Sequence, residues 1–153
     1  SACSESTLSA AIPMTFQLDP HLAADSLPLT DWPLCTLRLM NDARYPWVLL
    51  IPRRQGLREL HDLGPADTRQ LWRESRRLSV ALMAVFAGEK LNVAALGNMV
   101  PQLHVHHIVR HRNDDAWPGP VWGRHPARRY DIPTRQAHLR ALHRALADTP
   151  PMT

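Results

Sequence analysis

One long segment with a helix period, residues 65–87, lies between two pairs of strand-like segments, and few folds accommodate that order. Pro65 suits a first helical turn, Asp67 sits where negative charge favours the helix dipole, and Gly88 suits a C-terminal cap. Leu71, Leu78, Leu82 and Val85 make one apolar stripe, with arginines on the other faces. Upstream, Cys35, Leu37 and Leu39 alternate with Thr36 and Arg38, the period of a half-buried strand. Asn41, Asp42, Ala43 and Arg44 supply turn chemistry. Residues 47–51 (Trp-Val-Leu-Leu-Ile) are then continuously apolar, as expected of a strand covered on both faces, and Pro52 ends the run. These two segments read as a hairpin. Downstream, residues 91–96 and 103–109 flank Gly97-Asn98, a second hairpin-like signal. Strands joined by hairpins around one intervening helix predict an α+β domain.

The flanks are less regular. A short strand is expected at residues 15–18, then a Pro-containing polar connection over 19–33. After the second hairpin come a loop rich in Trp, Pro and Gly (116–123) and an amphipathic helix over about 134–147 carrying Leu139, Leu142 and Leu146. Residues 1–13 are small and polar and lack the basic end and apolar core of a secretion signal. They read as a disordered extension, with Met14 as an alternative start. The expected division is therefore an extension at 1–13, a domain at 14–125, and a C-terminal helix and tail at 126–153. A length of 153 residues suits one domain with a substantial core.

Composition narrows the partners. With 44% hydrophobic and 21% charged residues, and no apolar run of membrane-crossing length, the chain reads as a soluble protein that enters no membrane. Cys3 and Cys35 have no metal or redox spacing, which makes a reduced, cytoplasmic setting the expectation. The net charge of +4 comes from arginines, with Lys90 the sole lysine. Aromatics are almost absent among those arginines, which argues against nucleic acid as a partner.

The chemistry is concentrated in Pro101-Gln102-Leu103-His104-Val105-His106-His107-Ile108-Val109-Arg110. On a strand, Gln102, His104 and His106 project to one face and Leu103 and Val105 to the other. A neutral imidazole, with an ordinary pKa of about 6.5, is a competent nucleophile at neutral pH. Attack on phosphorus would give a phosphohistidine-type intermediate that water could hydrolyse. Surface histidines without function and a His-x-His metal site are the competing readings. No cysteine lies nearby, and no glutamate follows at the short spacing many such metal sites use. His107, on the strand's other face, reads as a packing or interface residue.

This segment resembles the histidine-triad (HIT) family motif, in which three histidines alternate with apolar residues along a strand. The run from Lys90 to His106, the segment Ala116-Trp117-Pro118-Gly119-Pro120-Val121-Trp122-Gly123 and the strand ending Leu50-Ile51-Pro52-Arg53-Arg54 are similar to a bacterial subgroup of that family. The resemblance spans about residues 35–123 and implies an α+β HIT fold: an antiparallel sheet of about five strands with one long helix and a C-terminal helix. It also implies a homodimer.

Carried onto this chain, the resemblance makes His104 the nucleophile on the α-phosphorus of a purine nucleotide derivative, such as a nucleoside phosphoramidate or a dinucleoside polyphosphate. His106 would contact phosphate and leaving group, Gln102 would orient His104, and Asn92 or Asn98 would hold phosphate. Asn41 or Asp42 would take the ribose. No metal or cofactor is implied. Two positions depart from the family: Gln102 stands where the first histidine is expected, and Trp47 where a further histidine lies on the upstream strand. Both motivate a second reading, a nucleotide-binding module with little or no catalysis. Trp117 and Trp122 read either as anchors pinning their loop or as a wall beside the site.

Overall fold

The computed structural model describes residues 15–148. The expected extension at 1–13, Met14 and Cys3 lie outside the described residues. In chain order the elements are α1 (Pro20–Asp25), β1 (Ser26–Asp31), β2 (Cys35–Met40), β3 (Trp47–Pro52), α2 (Pro65–Val85), β4 (Lys90–Ala94), β5 (Val105–Arg110) and α3 (Ile132–Asp148). The strands form one antiparallel sheet in the order β1-β2-β3-β5-β4. This is the α+β architecture expected, five strands with a long helix and a C-terminal helix. Among the described residues, no helix is long and apolar enough to cross a membrane.

Strand alternation divides the molecule into two cores. On one face Cys35, Leu37, Leu39, Val48, Leu50, Val105 and Val109 meet Leu71, Leu78 and Leu82 of α2 and Leu142 and Leu146 of α3. On the other, Trp47, Leu49, Ile51 and Ile108 are covered by Leu22, Ala116 and Val121, with Phe16, Leu18 and Trp122 packed against them. β3 is therefore buried along its whole length, which is why its sequence is apolar without alternation.

Three local expectations are corrected. Residues 15–18 form no strand, and the first strand is β1, inside the expected polar connection. Asp19 caps the His21 amide and Pro20 opens α1, so the chain turns helical where a strand would continue. β1 tolerates Pro28 because it is an edge strand, with a register shift between Pro28 and Thr30. Gly88 is not the left-handed cap of α2. The helix ends at Val85, and Ala87 takes the positive φ of 47°. Gly88 is required for space: a Cβ there would lie 2.5 Å from Met83 Sδ and 2.7 Å from Val109 Cγ1. α3 starts at Ile132, two residues before the expected position, where Asp131 accepts the Thr134 amide.

Candidate active site

His106 lies on β5 opposite Leu49 of β3 and Ala94 of β4, so it faces the second core, away from the long helix. His104 immediately precedes the strand, and the two rings meet edge to face with centroids 4.8 Å apart. Both are nearly buried, at 7% and 5% exposure. His107 points the other way, where its Nε2 pairs with the Ser75 hydroxyl of α2 at 2.8 Å. Burial holds the His107 ring down to about 4, against the opposing pull of its hydrogen bond to the Val105 carbonyl.

The two facing rings hold opposite tautomers. His104 Nδ1 lies 2.7 Å from the Gln102 carbonyl oxygen, which can only accept, so in the neutral ring Nδ1 carries the proton and Nε2 the lone pair. His106 Nδ1 lies 3.0 Å from the Trp47 indole nitrogen, which can only donate, so the proton of the neutral ring sits on Nε2. Burial, with His104 and His107 close by, pushes His106 down to about 3 and keeps it neutral. The site thus offers one unprotonated nitrogen next to one N–H donor.

A cleft of about 410 Å³ lined by Asn41, Asp42, Trp47, Met99 and Trp122 among others adjoins His106 through the Trp47 and Trp122 rings. Trp122 lies edge-on to both His106 (5.2 Å) and Trp47 (6.2 Å), and so forms a wall between the cleft and the histidines. Trp117 serves as an anchor, with the Arg110 guanidinium 5.6 Å from its ring centre. Asn41 accepts the Tyr130 amide, and Asp42 accepts those of Arg44 and Arg128, so both are fixed at the cleft by the chain entering α3.

A family model of the HIT domain matches residues 23–113. The chain belongs to the HIT domain family. A histidine triad protein from Marinobacter aquaeolei VT8 is 47% identical, with 89% of this chain and 99% of that one covered and a TM-score of 0.86. One from Bradyrhizobium japonicum is 42% identical, with 86% and 98% covered and a TM-score of 0.85. One from Sinorhizobium meliloti 1021 is 38% identical, with 85% and 96% covered and a TM-score of 0.83. No curated protein matches.

The remaining polar residues of this HIT domain divide by what they touch. The Gln102 side chain reaches neither histidine: its Oε1 accepts the Asp19 amide and its Nε2 donates to the Gln17 carbonyl, both at 2.8 Å. Its main-chain carbonyl is what holds His104. Asn92 accepts from Arg110 Nη1 at 2.8 Å. Asn98 lines a separate polar groove with Arg58, Glu59 and Asp62. The structure therefore brings His104, His106, Asn41 and Asp42 to one region, keeps Asn92 on the sheet face of His106 as its diagonal neighbour on β4, tied to Arg110, and places Asn98 at a separate groove.

Sequence reasoning missed Arg110 and Asp114. Arg110, 1% exposed, donates twice to Asp114 and once each to Asn92 and the Gly119 carbonyl. Asp114 also accepts the amides of His111, Ala116 and Trp117. Burial raises its carboxyl, but Arg110 and those amides outweigh it and hold the group below the usual range. This knot fixes the loop that delivers Trp122. The only signal available was an Arg and an Asp four positions apart, in a stretch without helix period.

Proposed function

We propose that this HIT protein cleaves or transfers at the α-phosphate of a purine nucleotide derivative, with His104 as the nucleophile. The observation that carries this reading is the tautomer pair: a lone pair on His104 Nε2 beside an N–H on His106 Nε2, next to a cleft of nucleoside size. His104 Nε2 bonds to phosphorus as the bond to the leaving group breaks. Water then breaks the N–P bond and returns His104 to its neutral form. His106 donates to a phosphoryl or leaving-group oxygen. The cleft takes the nucleoside, with Asn41 or Asp42 on the ribose hydroxyls. Gln102 orients His104 through its carbonyl, Asn92 holds Arg110 through its Oδ1 on the face that carries His106, where its NH2 group can serve a phosphate oxygen, and Asn98 reaches a substrate only through its own groove.

No metal enters this scheme. A Zn-bound histidine triad protein from Mycobacterium smegmatis shares the fold at 19% identity and a TM-score of 0.60. Among the described residues here, no three His, Cys, Asp or Glu side chains are grouped to hold a metal ion. The assembly proposed is a homodimer. β4 is a sheet edge, and Val93 on it and Trp72 and Val80 on α2 are 42%, 55% and 50% exposed. A second copy can pair that edge about a two-fold axis and cover these side chains.

The test is hydrolysis of an adenosine phosphoramidate and a diadenosine polyphosphate with chelator present, comparing wild type with His104→Ala. Turnover that survives chelation and is lost in the variant supports the reading. Nucleotide binding without turnover in the wild type favours the second reading, a binding module, for which the non-titrating Gln102 is the motive.

A further inference from the structure

Trp47 stands where the family resemblance places a histidine, and its indole touches the phosphate-handling side of the site. Trp47 pairs with Ile108 in the β3–β5 register while His106 pairs with Leu49, so the two are diagonal neighbours on one face, within reach for aromatic side chains. The indole N–H meets His106 Nδ1 at 3.0 Å, with the rings tilted by 51° and their centroids 5.6 Å apart. Both partners are nearly buried, at 8% and 5% exposure. Trp122 packs edge-on against both rings and restricts their rotation.

We infer that Trp47 is a positioning residue: its N–H, a donor that cannot accept, holds His106 in the single neutral tautomer that presents Nε2–H to the substrate. A histidine in that place can donate or accept, and would leave the His106 proton free to sit on either nitrogen. An indole removes that choice. His106 then serves as a fixed, neutral hydrogen-bond donor to the phosphoryl or leaving group, pre-oriented before substrate arrives. The departure at this position is therefore a substitution of one holding group for another, and the triad position it serves is the third, not the nucleophile. His104 is oriented independently, by the main chain at residue 102. This inference rests on the proposed roles of His104 and His106, but its test does not need turnover.

The test is nitrogen NMR of the imidazoles in the substrate-free protein at neutral pH, for wild type and Trp47→Phe. In the wild type, His106 is expected to show a protonated Nε2 and an unprotonated Nδ1 as one species. Trp47→Phe keeps a ring in place, removes the donor and is expected to give a mixture of tautomers. In turnover, the same variant is expected to lose about 10-fold in kcat, the equivalent of one hydrogen bond. A wild-type His106 protonated on Nδ1 overturns the inference even if the variant does not fold. So does a Trp47→Phe protein in which the tautomer is unchanged. Absence of turnover in the wild type would overturn the proposed function and leave the tautomer result standing.

Discussion

Gln102 occupies a triad position and yet spends its side chain on the chain's N-terminal segment, which makes Gln102→Ala an informative perturbation. Two hydrogen bonds of 2.8 Å are lost, one partly buried and one exposed. At about 0.5–1.5 kcal/mol net for each, and toward the lower end for the exposed one, the loss totals about 1–2 kcal/mol. It falls on residues 15–25, which stay tied to the molecule by the packing of Phe16, Leu18 and Leu22 on the second core and by the hydrogen bonds that the Ala23 and Asp25 carbonyls accept from Arg38 and the Asn41 amide. The Asp19 amide is the direct reporter, because its acceptor is Gln102 Oε1. By hydrogen exchange, that amide should open about 5- to 30-fold more readily in Gln102→Ala, while amides of β3 and β5 keep their protection. The carbonyl that orients His104 survives any substitution at this position, so turnover should persist. Unchanged exchange at Asp19, or turnover abolished with the fold intact, would refute this assignment of the side chain.

Two further outcomes follow from buried groups. Glu74 of α2, 3% exposed, accepts the amides of Leu34 and Cys35, so Glu74→Ala strands two buried N–H groups and should cost about 2–5 kcal/mol in urea unfolding. Glu74→Gln keeps one acceptor and should fall between; equal stability of all three proteins would contradict this. Acid should destabilise the fold early. His106 and His107 are held down to about 3 and about 4, against about 6.5 unfolded, so the unfolded chain binds more protons below that value. Their contribution is complete above about pH 6.5 and is lost progressively as pH falls toward 4 and 3. Chemical unfolding across pH 8 to 4 checks this, and stability that stays flat until the carboxylates titrate would contradict it.

What could be read from the chain depended on whether the cause was local. The unbroken apolar run of β3 reported burial on two faces, and the alternation around residues 104–107 separated His106 from His107 onto opposite sides, as their partners Trp47 and Ser75 bear out. β1 was hidden because Pro28 is an ordinary connection signal, and only its place at the sheet edge makes it admissible as a strand. Gly88 was misread because a cap signal and a close-packing requirement look the same in sequence; Met83 and Val109 decide between them. The work of the Gln102 side chain depends on residues 83 and 85 positions away, and no periodicity encodes that distance. The Arg110–Asp114 knot was missed for a related reason, since its five-fold use of one carboxylate exists only after the loop has folded.

The most direct test of His104 as nucleophile is a single-turnover reaction with an adenosine phosphoramidate, quenched by base and analysed by peptide mass spectrometry. An adenylyl adduct on His104 that forms and decays at the turnover rate, and is absent from His104→Ala, is the expected result. Turnover in the wild type with no adduct on His104, or turnover that continues in His104→Ala, would contradict it.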